Sequence, residues 1–433
     1  MISLLREYIK DKKILILGFG REGRSSLNML EAVSGASLIE ISDKNPIDSR
    51  EAHGLRVISG DSYLDVLDDY DIVFKSPGVV LKKAAEEYKC DITCQTEIFI
   101  KAYRDRVIGI TGTKGKSTTS SLLYHELKSA GKDVLFAGNI GIPVFDVNDQ
   151  VKDNTIIVIE LSCHQLEYAK TSPSRAILLN IYEDHLDHYG TREKYAAAKR
   201  NIFSHQKKED LLLTTKETDL NGEEVSRVEY ITKELLPFNN WKDIAGVKLR
   251  GDHNLLNAAF VYRICKDQGL SDKDFMTYLA DFKPLAHRLE PIGNFGGIDF
   301  YDDSISTTVM STINAVESID NASVLLVGGM ERNIDYTDLV KYLLTSKLDT
   351  VICMYESGAR IYSMLEKLTK EGKDSNVELV KLNDIEEAVK WVKVNASVGG
   401  ACILSPAAAS YGYFKNFEER GDFFAKVVAD FVK

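Results

Sequence analysis

No stretch of this 433-residue chain approaches the ~20 consecutive apolar residues that a membrane-crossing helix needs, so no spanning segment is expected. No block of basic residues stands out either. Lys and Arg number 54 against 65 Asp and Glu, for a net charge of −11. That balance argues against nucleic acid as the main partner. It leaves an anionic small substrate open, because one local cationic pocket can coexist with an acidic surface. The six cysteines, Cys90, Cys94, Cys163, Cys265, Cys353 and Cys402, are scattered and form no C-x-x-C pair. A disulfide framework is thereby excluded, and buried thiols in a reducing cytoplasm are the simple reading. The opening "MISLLREYIKDKK" lacks the apolar stretch and small-residue cleavage site of a secretory signal. A cytoplasmic protein is expected. There is no short tandem repeat and no low-complexity tract.

What is present is the composition of an ordinary soluble globular protein, 44% apolar and 27% charged. The length suggests about three domains. Short apolar runs alternate with longer amphipathic ones. "KILILGFG", "ASLIEISD" and "YDIVFKSPGV" read as strands in a first unit, with "REGRSSLNMLEAV" as a helix between them. "RVIGITG", "DVLFAGNIG", "NTIIVIELS" and "RAILLNIY" are strands of a second unit, with "KSTTSSLLYHELKSAG", "REKYAAAKRNIFSHQ" and "GDHNLLNAAFVYRICKDQGL" as helices. Residues 211–249 are polar and irregular. A third unit holds "IDFYDDS", "ASVLLVGGM", "DTVICMY" and "GACILSPAAAS" as strands and closes on the helical run "FKNFEERGDFFAKVVADFVK". This wiring predicts α/β architecture with mostly parallel sheets covered by helices.

Four motifs carry chemistry. Gly18, Gly20 and Gly23 form G-x-G-x-x-G between a strand and a helix, and Asp43 ends the next strand. That is a dinucleotide fingerprint in its proper context. It fits an NAD-dependent oxidoreductase, but equally the diphosphate of a nucleotide sugar, or a tight turn with no ligand. "GITGTKGKSTTS" resembles a phosphate-binding loop with its first glycine displaced, since Ile110 stands where that glycine belongs. Backbone N–H groups at such a junction hold phosphates, Lys116 neutralises them, and Ser117 can bind Mg²⁺. Glu160, ending "NTIIVIE", is a metal ligand or a strand-end acid facing water. Glu183, Asp184, His185, Asp187 and His188 crowd one short stretch. Zinc there would need a further soft ligand, for which only Cys163 and His164 are conceivable. A hard-cation site for Mg²⁺ fits better. Lys199, Arg288, Asp303, Arg332 and Ser410, each taken alone, read as ordinary solvated or strand-end residues.

Together, "GFGREGRS", "SPGV", "TGTKGKSTT", "GNIG", "ELSCHQLE", "EDHLDHYG", "YAAAKR", "GDHNLLNAA", "AHRLE", "DDSIST" and "SPAAASYGYFKNFEERG" resemble the Mur ligase family of peptidoglycan enzymes, over nearly the whole chain and in the same order. The last of these, with "ELSCHQLE", points to the glutamate-adding branch. The displaced glycine is that family's own form of the loop. The resemblance implies three domains: a Rossmann-like UDP-sugar-binding domain over 1–101, a P-loop-type ATP-binding ligase domain over 102–284, and a Rossmann-like amino-acid-binding domain over 285–433. It implies ATP, two Mg²⁺ ions, UDP-N-acetylmuramoyl-L-alanine and D-glutamate as ligands, and a monomer. The N-terminal glycine loop then binds a uridine nucleotide rather than NAD. Gly18, Gly20, Arg21, Glu22, Asp43, Lys44 and Gly78 match that site, and Asn139 and His185 lie along the sugar diphosphate. Gly112, Thr113, Lys114, Gly115, Lys116, Ser117 and Thr118 match the ATP loop. Asn254 and Asn257 match the adenine surroundings, Arg288 the phosphates and Asp303 the ribose. Ser117 and Glu160 match ligands of one Mg²⁺. His185 matches a ligand of the second, supported by Lys199, whose family counterpart is carbamylated. Thr307, Arg332, Ser410 and Phe417 match the glutamate pocket.

Two departures touch that pocket. The glutamate-adding branch usually reads D-S-K-A-T-N where this chain reads D-S-I-S-T-T, so its lysine is Ile305 here. A second lysine position is Arg332, which can still grip a carboxylate bidentately. L-glutamate or another acidic amino acid therefore stands as an alternative. Lys114 replaces a common asparagine, a minor change. The chemistry implied is activation of a carboxylate as an acyl phosphate, followed by attack of the amino-acid amine and loss of phosphate.

Overall fold

The computed structural model describes residues 1–139, 142–183, 186–332, 334–370 and 377–430. His185, expected to be both a metal ligand and a sugar-diphosphate contact, lies outside the described residues, as does Asp184. The chain forms two compact units. One comprises Met1–Asn240 and Leu255–Leu279, the other Trp241–Asn254 and Ala280–Lys433.

The first unit contains two sheets. β1 (Lys13–Leu17), β2 (Leu38–Asp43), β3 (Val57–Ser59), β4 (Ile72–Lys75) and β5 (Asp91–Thr93) pair in the order β3-β2-β1-β4-β5, all parallel. β6 (Val107–Thr111), β7 (Val134–Gly138), β8 (Ile156–Glu160), β9 (Arg175–Leu178), β10 (Leu211–Thr214) and β11 (Arg227–Tyr230) pair in the order β11-β10-β9-β6-β8-β7, again all parallel. Central strands such as "KILIL" and "VIGIT" are apolar almost throughout because helices cover both faces of a parallel sheet. One apolar cluster runs continuously from the first sheet to the second. Leu5, Ile16 and Phe74 belong to it, as do Phe99, Phe145, Ile159 and Phe203. The helix Gln95–Tyr103 supplies the bridge, burying Ile98, Phe99 and Ile100. Each such side chain contributes about 1.5–3 kcal/mol on burial. That shared core is why two sheets form one unit.

The second unit is built on β12 (Glu290–Phe295), β13 (Ile298–Asp302), β14 (Ala322–Val327), β15 (Thr350–Cys353), β16 (Glu378–Lys381) and β17 (Ala401–Leu404). They pair in the order β12-β13-β17-β14-β15-β16. Among the strand pairs of the described residues, only β12–β13 is antiparallel. The period-two alternation of strand side chains divides its core cleanly. Leu325, Val327, Ala401 and Ile403 join one apolar cluster, and Val324, Leu326, Cys402 and Leu404 join another. All six cysteines are free thiols. No helix among the described residues is long and apolar enough to cross a membrane.

Candidate active site

The loop "GTKG" leaves β6 and enters the helix Lys116–Ser129. Gly115 makes the turn at φ +87°, a left-handed conformation that only glycine adopts without cost. A Cβ there would lie 2.6 Å from Asn257 Oδ1, so Asn257 packs directly on the loop. The loop is held from the side by the residues after β9. Thr113 N donates to Asn180 O (3.0 Å) and Lys114 N to Asn180 Oδ1 (2.9 Å), while Asn180 Nδ2 donates to Lys114 O (3.1 Å). Thr113 Oγ1 accepts from Tyr182 N (2.9 Å) and from the Tyr195 hydroxyl (3.0 Å). The first-turn N–H groups of the helix and its dipole make the loop an anion site.

Two lysines converge on one oxygen of that loop. Lys116 Nζ and Lys199 Nζ each donate to the Gly112 carbonyl at 2.9 Å. Lys116 also donates to Thr113 O at 3.1 Å. Lys199 is 1% exposed and its ammonium lies 4.8 Å from the Tyr195 ring centroid. A lone Lys199 would be read as a solvated helix lysine, and the structure corrects this: Tyr195, Ala198 and Lys199 form the buried face of the helix Arg192–Arg200. Concentrated positive charge around a phosphate-type loop fits a polyanionic ligand. Conversion of Lys199 to an anion would relieve the crowding of two cations.

Glu160, at the end of β8, is fully buried rather than water-facing. Its Oε1 accepts from Asn139 Nδ2 at 2.8 Å and its Oε2 from Ser120 Oγ at 3.3 Å. Ser117 is also buried, and Thr118 follows it in the same helical turn. A buried carboxylate and a buried hydroxyl beside a phosphate loop form a hard-oxygen donor set, the kind Mg²⁺ takes.

The first glycine loop sits between the carboxyl ends of β1 and β4, where the strand order reverses and α/β sheets receive ligands. Gly18 takes φ +85°, and a Cβ there would meet Val79 Cγ2 at 2.8 Å. Ser76 Oγ donates to Gly18 O (2.7 Å). The Gly23 position comes so close to Gly18 O that a Cβ would lie 2.2 Å from it. Around Gly20, by contrast, nothing would meet a Cβ. Asp43 accepts from Phe19 N (2.7 Å) and Asn45 N (2.8 Å), so its carboxylate shapes the loop itself. Arg21 Nη2 donates to Asn139 O (3.3 Å), and Glu22 Oε1 accepts from Gln165 Nε2 (2.8 Å). Burial raises the Glu22 pKa. Lys44 and Gly78 are exposed at the rim.

In the second unit, Asp303, Ser304 and Thr307 follow β13, Arg332 follows β14, and Ser410 follows β17, so all lie beyond the carboxyl ends of neighbouring strands. Asp303 accepts from Ser405 Oγ (2.7 Å) and Leu289 N (3.2 Å), and burial pushes its pKa up to about 7. Arg288 sits between two residues in the left-handed region, His287 (φ 60°) and Leu289 (φ 49°). His287 is anchored through Nδ1 to the buried Asp302 at 2.7 Å, a hydrogen bond that raises the imidazole pKa. Arg332 lies over the Tyr411 ring, 5.5 Å from its centroid. Ser410 is buried, and the Phe417 ring stands edge-on to His287. Asn254 belongs to this unit, and Asn257 to the first. Ile305 is half-buried and its N–H donates to His287 O (3.2 Å).

Three structural contributors escaped the sequence reading: Asn180, Tyr195 and Arg420. Arg420, 1% exposed, donates to Ser304 Oγ (2.9 Å), Ser304 O (2.7 Å) and Ala408 O (3.1 Å), fixing the loops after β13 and β17. The signal for Asn180 was present, a lone amide directly after an apolar strand. Nothing in "FEERG" distinguished a buried arginine from a solvated one.

A parallel sheet with a Gly-Lys-Ser loop at a helix N-terminus, a buried acid on the adjacent strand and a second glycine loop nearby defines a nucleotide-phosphate-binding α/β protein. Two family profiles match: the Mur ligase middle domain over residues 110–232, and the Mur ligase glutamate ligase domain over residues 287–408. The chain is 31% identical to the UDP-N-acetylmuramoylalanine–D-glutamate ligase of Acetivibrio thermocellus, covering 98% of this chain and 97% of that one. It is 33% identical to the enzyme of the same name from Clostridium botulinum, covering 98% of both. The fold of the UDP-N-acetylmuramate–alanine ligase from Thermotoga maritima is shared at a TM-score of 0.59 and 20% identity, over 97% of this chain and 99% of that one. The chain belongs to the Mur ligase family.

Proposed function

We propose that the chain is an ATP-dependent amide ligase that joins D-glutamate to UDP-N-acetylmuramoyl-L-alanine, releasing ADP and phosphate. The observation that carries this reading is the convergence of Lys116 and Lys199 on the Gly112 carbonyl, at a helix N-terminus beside the buried Glu160. Gly112–Thr118 and Asn257 hold the nucleotide phosphates and their surroundings in the first unit; Asn254, Arg288 and Asp303 are the second unit's own nucleotide-binding candidates. The glycine loop with Arg21, Glu22, Asp43, Lys44 and Gly78 takes the uridine nucleotide, and Asn139 lies along the sugar diphosphate. Thr307, Arg332, Ser410 and Phe417 receive glutamate. Ser117 and Glu160 would hold Mg²⁺, and Lys199, carbamylated, would support a second ion with His185; bound there, the ions neutralise charge on the transferred phosphoryl group.

The substrate carboxylate is a poor electrophile because its charge repels an amine. Its oxygen attacks the γ-phosphorus of ATP, the bond to the β-phosphate oxygen breaks, and ADP departs. The glutamate amine then attacks the carbonyl carbon of the acyl phosphate, loses a proton, and the C–O bond to phosphate breaks. Lys116 stabilises the charge that develops on the phosphoryl oxygens, and the preformed loop fixes their position.

A second reading differs only in the amino acid. Ile305 stands where the family has a cation, so D-glutamate is less firmly specified, and L-glutamate or another acidic amino acid is the alternative. Phosphate release from ATP is measured with UDP-N-acetylmuramoyl-L-alanine and D-glutamate, L-glutamate or no amino acid. Release dependent on D-glutamate is expected, and lost in Lys116→Ala. Dependence on L-glutamate alone selects the second reading, and undiminished turnover in Lys116→Ala refutes the ligase mechanism.

A further inference from the structure

A cluster outside the residues assigned above joins three ligand-type side chains. His164 and Glu167 are three residues apart, on and just after the short helix Cys163–Leu166, so they share one helical face. His188 comes from the helix Leu186–Tyr189. One ring nitrogen from each histidine and one Glu167 carboxylate oxygen lie within 4.8 Å of one another. The two imidazole rings stand edge-on with centroids 4.3 Å apart. His188 Nε2 is 3.2 Å from Glu167 Oε2. An ion pair needs only one imidazole at a carboxylate, whereas here two converge on it. Donors bound to a metal at about 2.0–2.2 Å stand roughly 3.4 Å apart in a tetrahedron, so small rotations of these side chains suffice.

The surrounding side chains hold the ligand rings in place. The Tyr189 ring stacks on His164 at 5.5 Å and 5°, and its hydroxyl is 3.2 Å from His164 Nδ1. With the hydrogen on Nδ1, the Tyr189 oxygen accepts it and the Nε2 lone pair is left for a metal. A cavity of about 480 Å³ is bordered by Glu167, His188 and Tyr189, which gives an ion access. Lys82 and Lys83 also line it but are paired with Asp65 and Asp68. One charge competes for the site. Lys75 Nζ lies 3.7 Å from Glu167 Oε2.

We propose that His164, Glu167 and His188 form a binding site for a borderline divalent cation of the Zn²⁺ class, separate from the Mg²⁺ ligands of the phosphate loop. Two imidazoles and one carboxylate favour such an ion over Mg²⁺. The bound cation ties the segment after β8 to the helix Leu186–Tyr189.

The test titrates Co²⁺, a coloured Zn²⁺ surrogate, into the full chain in excess Mg²⁺, which occupies the hard-oxygen sites. One equivalent should give the visible absorption bands of a four- or five-coordinate ion, and Zn²⁺ should displace it. His164→Asn, Glu167→Gln and His188→Asn should each weaken binding roughly 100-fold or more, with the far-UV spectrum unchanged. Lys75→Met should tighten it several-fold, because the competing ammonium is gone. His287→Asn, in the other His/carboxylate cluster (His287, Glu290, Asp302), should leave the bands unaltered. Failure of the unsubstituted chain to bind Co²⁺ overturns the proposal. So does a spectrum that survives His164→Asn and His188→Asn, or one abolished by His287→Asn.

Discussion

Glu126 sits in the helix that follows the phosphate loop, with its side chain fully buried. Neither carboxylate oxygen has a hydrogen-bond partner among the described residues. Burial alone pushes its pKa from 4.5 to about 9. Between these two values the unfolded chain has released this proton and the folded chain keeps it. The native state therefore binds one proton more, and stability falls as pH rises, by about 1.36 kcal/mol per pH unit. Below pH 4.5 both states are protonated, and above about pH 9 both are ionised, so the dependence is confined to that window. From pH 6 to pH 8 the loss attributable to Glu126 approaches about 2.7 kcal/mol. Glu126→Met keeps the length of the side chain and has nothing to titrate. The variant should be more stable than the parent at both pH values, and the gap should widen by that amount. In melting midpoint this is roughly 5 °C or more. Calorimetry of the full chain at the two pH values, parent against variant, reads the difference for the transition of the first unit. Parallel pH dependence in the two proteins would refute the reasoning and place a partner or water at the carboxyl.

Gly115→Ala forces a left-handed alanine, at about 1–2 kcal/mol, and sets its Cβ against Asn257 Oδ1. Nucleotide affinity should fall about tenfold or more, measured by ATP titration, and unchanged affinity would count against the loop as the phosphate site. Lys199→Ala should lose ligase turnover and regain part of it with short carboxylic acids that replace a carbamate; full activity without them would reduce Lys199 to a packing residue. Arg420→Met leaves Ser304 and Ala408 carbonyls buried without their donor, at roughly 2–4 kcal/mol. The melting transition of the second unit should drop accordingly, and Arg420→Lys should not restore it, because an ammonium cannot span all three acceptors.

The parallel sheets were legible because buried strands such as "KILIL" and "ASVLLV" are apolar runs closed by glycine loops, a pattern that local chemistry enforces. The phosphate loop was legible for the same reason, since Gly115 and Lys116 are dictated by backbone conformation and charge. Burial of single polar residues was not. Glu160 read equally as a metal ligand or a water-facing acid, and Lys199, taken alone, as a solvated lysine, until the folded chain placed Asn139 and Ser120 against the first and the Tyr195 ring and Gly112 carbonyl against the second. Such partners lie up to 87 residues away, and no local periodicity encodes them. The division into compact units likewise depended on a shared core between two sheets, built by Phe99 and Phe145, which spacing along the chain does not reveal.

Asn180 has a consequence for the energetics of ligand capture. The ladder between β6 and β9 does not stop at the strand ends. Leu179 N donates to Thr111 O, Thr113 N donates to Asn180 O, and the Asn180 side chain then pairs with both backbone groups of Lys114. A side-chain amide thus stands in for one more residue of strand, and the loop is held as an extension of the sheet. Its conformational entropy is lost when the chain folds rather than when phosphate arrives. A phosphate bound there would meet N–H groups already in position, and less of its contact energy would be consumed in ordering the protein.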